Sequence, residues 1–359
     1  MEKTLYLVLE NGKIFKGYSI GAEGDTTGEV VFQTSVIGYN ETLTDPKYYG
    51  QIVVDTFPLV GNYGIIKEEL GSKKPTISGF VVKSICDTPS NFRCEGNLED
   101  YMKESGIIGL AGIDTRELTR IIRENGTMTG KITSDISNVD TVVNELKSHK
   151  LNVEYKDVSV EKIQQYKSEN AKGKVCILDL GMTDGFVKLF TNNAFDVTVV
   201  PFDTKAEDII KLGCDAVVIS EGPGNPEDCT DITNEIKKLI EKGIVLYGCG
   251  LGHQLVSLAM GAKTKKHPYG HRGANQPVKD TKTGKIYITS QNHGYIVDES
   301  TLPQNAYISF VNVNDKTVEG LTFEGKKIIT TQFIPNDCNG PHNTEFIIDS
   351  LFSIVKGDM

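Results

Sequence analysis

The sequence predicts an α/β protein, with an N-terminal mixed α/β domain over residues 1–150 and a doubly wound, mostly parallel sheet over residues 173–359. From residue 174 onward, continuous apolar runs alternate with amphipathic helical patterns, which is typical of parallel strands covered on both faces. Before residue 150, apolar and polar residues alternate in several runs, which favours half-exposed strands. Residues 151–172 are polar and poorly periodic, so we expect them to connect the two domains.

Local signals support the mixed first domain. Asn11-Gly12 separates two alternating runs, and this dipeptide is a strong signal for a two-residue hairpin. The run "GEVVFQTSVIGYNETL" is expected to be rich in strand. Asp114 and Glu117 form a capping-box pattern at the start of "DTRELTRIIREN", and Gly126 follows directly after it. We therefore expect a hairpin at the first signal and a helix at the last.

Four apolar runs are expected to form the parallel core of the second domain: "KVCILDL", "DVTVVPF", "CDAVVIS" and "GIVLYG". Between them, "DITNEIKKLIEKG" places Ile232, Ile236, Leu239 and Ile240 on one face and ends at Gly243, as an amphipathic helix does. "GKIYITS" and "GKKIITTQF" predict two further strands. Ligands bind at the carboxyl ends of the strands in such sheets, so the functional residues are sought there.

The composition disfavours several classes of function. A formal net charge of −10 argues against a nucleic-acid or polyanion binder. The first residues are too interrupted by charge for a signal peptide, and no apolar run reaches the ~18 residues of a membrane span. Seven cysteines form an odd set without metal-site spacing. We therefore expect a cytoplasmic protein with reduced thiols and no metal site.

Three segments at strand ends carry unusual residues. Gly222-Pro223-Gly224 offers backbone N–H groups to a carboxylate or an oxyanion, with a simple tight turn as the alternative. "LYGCGLGHQL" has the strand, sharp turn and helix of a nucleophile elbow, but Gly250 stands at its tip and the nearest thiol is one position early, at Cys249. "SQNHGYIV" predicts a turn around His293, which is either a base or a polar surface residue.

The chain resembles the carbamoyl phosphate synthase small-subunit family over nearly its whole length. In the first half the resemblance lies in "GEVVFQTSVIGYNETLTDPKYYGQIV" and "AGIDTRELTRIIRENG". In the second half "GPGNP", "LGHQL", "GHRGANQPV" and "SQNHGY" resemble the class I glutamine amidotransferase domain. The resemblance implies a small-subunit N-terminal domain followed by a doubly wound sheet of the amidotransferase type.

In that family a cysteine directly before Leu-Gly-His-Gln attacks glutamine, and a later histidine and glutamate act as base and orienter. Position by position, these three slots hold Gly250, Ile334 and Asn336. Glycine has no nucleophile, isoleucine takes no proton, and a neutral asparagine cannot stabilise an imidazolium. The family's usual lysine and asparagine are also replaced, by Thr183 and Gly185. The resemblance therefore implies that no catalytic residue is intact.

The positions that hold glutamine in the family are almost unchanged. Tyr295 stands where phenylalanine is usual, and Ser35 comes from the first domain, so the implied pocket bridges the two domains. The resemblance implies these glutamine-binding residues: Ser35, Gly222, Gly224, Leu251, Gln254, Asn292, Gly294 and Tyr295.

The resemblance thus implies a non-hydrolysing small subunit that docks on the large subunit of carbamoyl phosphate synthase, with L-glutamine as a further expected ligand. No cofactor is expected in this chain, because ATP and Mg²⁺ would be bound by the large subunit, and neither nucleic acid nor a membrane is an expected partner. Two alternatives stay open: an active glutaminase subunit that uses Cys249 with displaced machinery, and a free-standing small-molecule binding protein. Strand alternation argues against the first, since a shift of one residue turns the sulfur to the other face. Arginine and pyrimidine biosynthesis are both compatible with the family.

Overall fold

In a computed structural model that describes residues 3–72, 74–335, 343–344 and 346–356, the chain divides into two compact units, Met1–Val153 and Glu154–Met359. The predicted α/β fold class is confirmed. Most of the stretch predicted as a connection, residues 151–172, belongs to the second unit, where Gln164–Tyr166 forms a short strand. Within the described residues, no helix is both long and apolar enough to cross a bilayer.

The first unit is a closed barrel of seven strands in the order β1-β2-β6-β5-β4-β3-β7. The strands are β1 (Thr4–Leu9), β2 (Ile14–Gly21), β3 (Thr26–Gln33), β4 (Gln51–Asp55), β5 (Gly79–Val81), β6 (Ile108–Ala111) and β7 (Met128–Thr133). The helices are α1 (Tyr39–Thr44), α2 (Leu98–Glu104), α3 (Thr115–Asn125) and α4 (Val139–Ser148), with 3-10 turns at Pro46–Tyr48 and Lys67–Glu69.

Both strong local signals of this unit are confirmed. β1 and β2 pair antiparallel around Gly12, whose φ of 85° suits the hairpin turn. The side chain of Asp114 accepts a hydrogen bond from the Glu117 N–H at 2.9 Å, and Gly126 ends α3 with a φ of 88°. The run "GEVVFQTSVIGYNETL" is less rich in strand than expected: residues 28–33 belong to β3, but residues 39–43 belong to α1, which begins after Gly38 at a φ of 94°.

The second unit is built on one ten-stranded sheet, in the order β14-β13-β15-β16-β17-β12-β11-β9-β10-β8. Its strands are β8 (Gln164–Tyr166), β9 (Gly173–Asp179), β10 (Phe195–Pro201), β11 (Ala216–Ile219), β12 (Leu246–Cys249), β13 (Thr264–Asp280), β14 (Ile286–Val297), β15 (Ala306–Asn312), β16 (Val318–Phe323) and β17 (Ile328–Thr331). Its helices are α5 (Asp184–Asn192), α6 (Ala206–Lys211), α7 (Thr230–Glu241), α8 (Leu251–Ala259) and α9 (Phe346–Lys356), with 3-10 turns at Tyr155–Asp157, Pro226–Asp228 and Glu299–Thr301.

The predicted parallel core is confirmed: β10, β9, β11, β12 and β17 are neighbours that all run in one direction. Alternate residues of β9 enter two separate apolar clusters, with Val175 and Ile177 in one and Cys176 and Leu178 in the other. The four apolar residues predicted for one face of α7 are all buried. Burial on both faces explains why these strands are continuous apolar runs in the sequence.

On the other side of β17 the sheet continues in antiparallel strands. β13 and β14 form a long pair in which His271 lies opposite His293 and Arg272 lies opposite Asn292. The prediction of a turn around His293 is therefore wrong, since residues 286–297 are a single strand. Asparagine and glycine favour turns locally, but the pairing with β13 keeps this segment extended.

Candidate functional site

The predicted elbow is present at the carboxyl end of β12. The strand ends at Cys249, α8 begins at Leu251, and Gly250 between them has φ 57° and ψ −114°. The Gly250 N–H donates to the Thr331 carbonyl at 2.9 Å, which fixes the turn against β17. A Cβ at Gly250 would lie 3.1 Å from Glu221 Cβ, so the tip is crowded as well as unusual in conformation.

Cys249 is fully buried, and its side chain lies away from α8. Its Sγ is 3.5 Å from the Phe333 carbonyl oxygen, and the residue belongs to the same apolar cluster as Tyr247 and Phe333. Leu251, the first residue of α8, belongs to the other apolar cluster. This arrangement agrees with the alternation of strand side chains and places the thiol inside an apolar cluster, where it donates to the Phe333 carbonyl.

The family's histidine slot is also buried. Ile334 is 8% exposed, packs in the same apolar cluster as Cys249, and donates its N–H to the Ser290 carbonyl at 3.2 Å. Ile334 cannot act as a general base, because the side chain of isoleucine carries no titratable group. Asn336, the glutamate slot, lies outside the described residues.

The Gly222-Pro223-Gly224 segment follows β11 as predicted and is tightly packed. A Cβ at Gly222 would lie 2.3 Å from the Leu180 carbonyl oxygen, and Gly224 has a φ of 101°, so both positions favour glycine. The Tyr155 hydroxyl donates to the Pro223 carbonyl at 2.9 Å. Close packing and backbone conformation therefore explain why glycine occupies both positions, without reference to a ligand.

Asp179 ends β9 close to this loop and is buried. Its carboxylate accepts hydrogen bonds from the N–H groups of Val160, Gly181 and Met182, at 2.8, 3.0 and 3.1 Å. Burial raises the pKa of Asp179, and these three hydrogen bonds oppose that rise. The carboxylate serves to hold the start of the "LGMTDGF" segment, in which Thr183 immediately precedes α5.

Among the predicted glutamine-binding residues, the structure brings Gln254 and Tyr295 together. The Gln254 side-chain amide donates to the Tyr295 carbonyl at 2.7 Å and to Gln332 Oε1 at 3.0 Å, linking α8 to β14 and to the end of β17. Asn292 and Gly294 lie on the same strand as Tyr295, at its pairing with β13. Ser35 belongs to the first unit, where its N–H donates to Gln33 Oε1 at 3.0 Å.

His253 lies one position before Gln254 and is fully buried. Its Nδ1 is 2.7 Å from the Thr330 hydroxyl. Burial lowers the pKa of His253 to about 3, so the ring is neutral at physiological pH. It packs the start of α8 against β17 as an uncharged residue.

A second polar cluster was missed by the sequence analysis. On β13, β14 and β16 and the turn before β16, two overlapping groups have ligand-type atoms within 4.8 Å of one another: His267, His271 and Asp315, and His271, His293 and Glu319. Of the two alternatives for His293, a base or a polar surface residue, the second is wrong, since the residue is 8% exposed. The signal in the sequence was two pairs at four-residue spacing, His267 with His271 and Asp315 with Glu319.

The electrostatics of this cluster follow from burial and short contacts. Asp315 Oδ2 is 3.1 Å from His267 Nε2 and 2.8 Å from His271 Nε2. Burial alone would lower the pKa of His271, but the hydrogen bond to Asp315 and the nearby Glu319 raise it to about 9. Burial, reinforced by the charge of His271, holds the pKa of His293 well below its usual value. Burial raises the pKa of Glu319.

Comparison with known proteins gives a consistent result over both units. A family model described as the carbamoyl-phosphate synthase small chain, CPSase domain, matches residues 7–132, and one for class-I glutamine amidotransferases matches residues 176–354. A carbamoyl phosphate synthase small chain from Clostridium perfringens is 46% identical over 345 residues, covering 96% of this chain and 97% of its own. One from Fusobacterium nucleatum is 44% identical over 357 residues, covering 98% of each chain.

Likeness to solved structures is weaker. A glutamine amidotransferase from Thermotoga maritima overlaps 52% of this chain and 86% of its own, with a TM-score of 0.38 and 18% sequence identity.

Proposed function

This chain belongs to the carbamoyl phosphate synthase small-chain family, and on that premise we propose that it is a small subunit that no longer hydrolyses glutamine. It docks on the large subunit of the synthase. Phosphoryl chemistry, with ATP and Mg²⁺, belongs to that partner. Carbamoyl phosphate synthesis by the complex then uses free ammonia.

The observation that carries this proposal is the tip of the elbow. Gly250 has the backbone conformation of a nucleophile position but carries no side chain to attack an amide. The nearest thiol, Cys249, is buried on the opposite side of β12 from α8, and Ile334 fills the position of the base. Nucleophile and base would both have to be replaced for hydrolysis, and the described residues offer no such pair at the elbow.

Retained glutamine binding is part of the proposal. Its support is that the predicted binding residues of the second unit lie on the elbow helix α8, on β14 and in the loop after β11. Gln254 and Tyr295 are joined by a 2.7 Å hydrogen bond. A subunit that binds glutamine without cleaving it could signal to its partner only if it binds glutamine more tightly in one state of the complex than in another.

The decisive experiment is a side-by-side assay of the complex reconstituted with its large subunit. Carbamoyl phosphate formation is measured with glutamine and, separately, with an ammonium salt. We expect formation with ammonium and none above background with glutamine. Equal use of glutamine would refute the proposal, and failure to co-purify with the large subunit would favour the free-standing binding protein.

A matched pair of cysteine variants tests the displaced-thiol alternative. If glutamine is used, Cys249→Ser should abolish that use only when Cys249 is the nucleophile. Cys176→Ser is the control, because Cys176 is also a fully buried strand thiol but lies on β9. Loss of activity in the first variant alone would establish the alternative reading.

A further inference from the structure

We propose that His271, His293 and Glu319 bind a divalent transition-metal ion of the zinc class. The three residues lie on β13, β14 and β16, and their exposed fractions are 6%, 8% and 0%. One ligand atom from each lies within 4.8 Å of the others. Two histidines and a glutamate form a known type of three-ligand zinc set. The site is separate from the elbow and does not depend on the proposed function.

The hydrogen bonding of His271 leaves the right nitrogen for a metal. Its Nε2 is 2.8 Å from the Asp315 carboxylate, which can only accept, so Nε2 carries the proton. Its buried Nδ1 makes no hydrogen bond and lies 3.5 Å from Glu319 Oε1, and a metal bound at Nδ1 would displace the second proton of the imidazolium. A carboxylate that receives the other ring N–H is the usual support for a metal-binding histidine.

His293 is oriented in the same way by a backbone group. Its Nδ1 is 2.9 Å from the Tyr295 carbonyl oxygen, and the tautomer that donates from Nδ1 leaves the lone pair on Nε2. That Nε2 lies 3.0 Å from Gln291 Oε1, another acceptor. A neutral ring has one proton for these two acceptors, so in this tautomer Nε2 and Oε1 face each other without a proton between them. A cation bound there would make that contact attractive.

The distance between His271 and Glu319 fits a bridging metal better than a shared proton. The 3.5 Å between His271 Nδ1 and Glu319 Oε1 is long for a hydrogen bond. Tetrahedral zinc with bonds of about 2.0–2.1 Å places its ligand atoms about 3.3–3.4 Å apart. The amide oxygen of Gln291 is positioned to act as a fourth ligand, and the carboxylates of Glu319 and Asp315 together balance the charge of a divalent ion.

The overlapping group of His267, His271 and Asp315 is not a metal site. The Gly270 N–H donates to His267 Nδ1 at 2.9 Å, so the neutral ring carries its proton on Nε2 and donates it to Asp315. The nitrogen that faces the group therefore has no lone pair available. Asp315 acts as the outer partner that orients His271.

A metal bound at these residues would also stabilise β14, the strand that carries three of the predicted glutamine-binding residues. It would tie β14 to β13 and β16 at His293, between Asn292 and Gly294. Metal binding stabilises a fold when the unfolded chain lacks the assembled site. We therefore expect a structural ion that stiffens this edge of the second unit.

The test uses the full chain without an affinity tag, stripped with a chelator and then exposed to Zn²⁺. We expect one equivalent of zinc per chain after exhaustive dialysis, a raised melting temperature, and reversal of both by chelator. Co²⁺ in place of Zn²⁺ should give the visible absorption of a four-coordinate site. A wild-type chain that retains no metal and whose melting temperature does not respond to Zn²⁺ would overturn the proposal.

Variants assign the ion to these residues. His293→Asn and Glu319→Gln should weaken Zn²⁺ binding by more than about 100-fold, and Asp315→Asn by roughly 10–100-fold, because it acts through His271. His149→Asn is the control, since His149 is exposed and far along the chain from the site. Equal loss in the control would show surface binding only. If the ligand variants do not fold, the wild-type stoichiometry and the cobalt spectrum decide.

Discussion

Restoring the thiol at the elbow by Gly250→Cys should destabilise the second unit without creating a glutaminase. The conformation at φ 57° and ψ −114° costs a residue with a side chain about 1–3 kcal/mol. The new Cβ would also stand 3.1 Å from Glu221 Cβ, which is tighter than most contacts of a Cβ atom and requires Glu221 to shift by a few tenths of an ångström. We expect the free energy of unfolding to fall by about 2–3 kcal/mol. At about 2–4 °C per kcal/mol, the melting temperature should fall by roughly 4–12 °C.

The assay pairs thermal melts with ammonia release from glutamine. Gly243→Cys is the control, because Gly243 has a φ of 72° but a Cβ there meets nothing within 4 Å. The control should cost roughly 1–2 kcal/mol from the positive φ alone, less than Gly250→Cys. No ammonia should be released, since Ile334 still occupies the position of the base. A Gly250→Cys chain that melts no lower than wild type, or that releases ammonia, would refute this reasoning.

Three further predictions concern stability. The pKa of His253 is about 3 in the folded chain and about 6.5 when unfolded, so only the unfolded chain binds this proton between those values. The free energy of unfolding therefore has its full contribution from His253 above pH 6.5 and is about 2 kcal/mol lower at pH 5. The urea midpoint of His253→Gln should depend less on pH over that range than the wild-type midpoint does. An equal pH dependence in the two proteins would contradict a neutral, buried His253. Leu239→Ala, at a fully buried position of α7, should cost about 2–5 kcal/mol in urea unfolding, whereas its exposed neighbour changed by Lys237→Ala should cost under about 0.5 kcal/mol. Asp114→Ala should cost about 1 kcal/mol by removing the cap on the Glu117 N–H, and no loss would show that the cap is replaced by water.

Much of the fold could be predicted because strands buried on both faces and strands buried on one face leave different patterns of apolar residues in the sequence. The runs that became β9, β10, β11 and β12 are apolar throughout, and that pattern has few explanations other than a covered parallel sheet. The β13–β14 pair was harder, because its residues are polar and include turn-forming types. Whether Asn292 and Gly294 bend or extend depends on pairing with Arg272 and its neighbours, which local sequence does not reveal.

The candidate functional residues also fall into a predictable group and an unpredictable group. The elbow at Gly250 was predictable because strand, glycine and helix follow one another in the sequence, and the burial of Cys249 followed from the alternation of strand side chains. The His271 cluster was not predicted, because its carboxylates come from a hairpin more than 40 residues later. Proximity of that kind is created by the β13–β15–β16 pairing and by no local pattern.

The position of β12 between β11 and β17 also sets an order of events during synthesis. Cys249 pairs with Thr331 across the parallel register, and the Gly250 N–H is held by the Thr331 carbonyl. About 80 residues must therefore leave the ribosome after the elbow before its second neighbour exists, which takes roughly 4–16 s at typical translation rates. Over that interval β12 is an apolar edge strand, the kind of surface that chaperones cover.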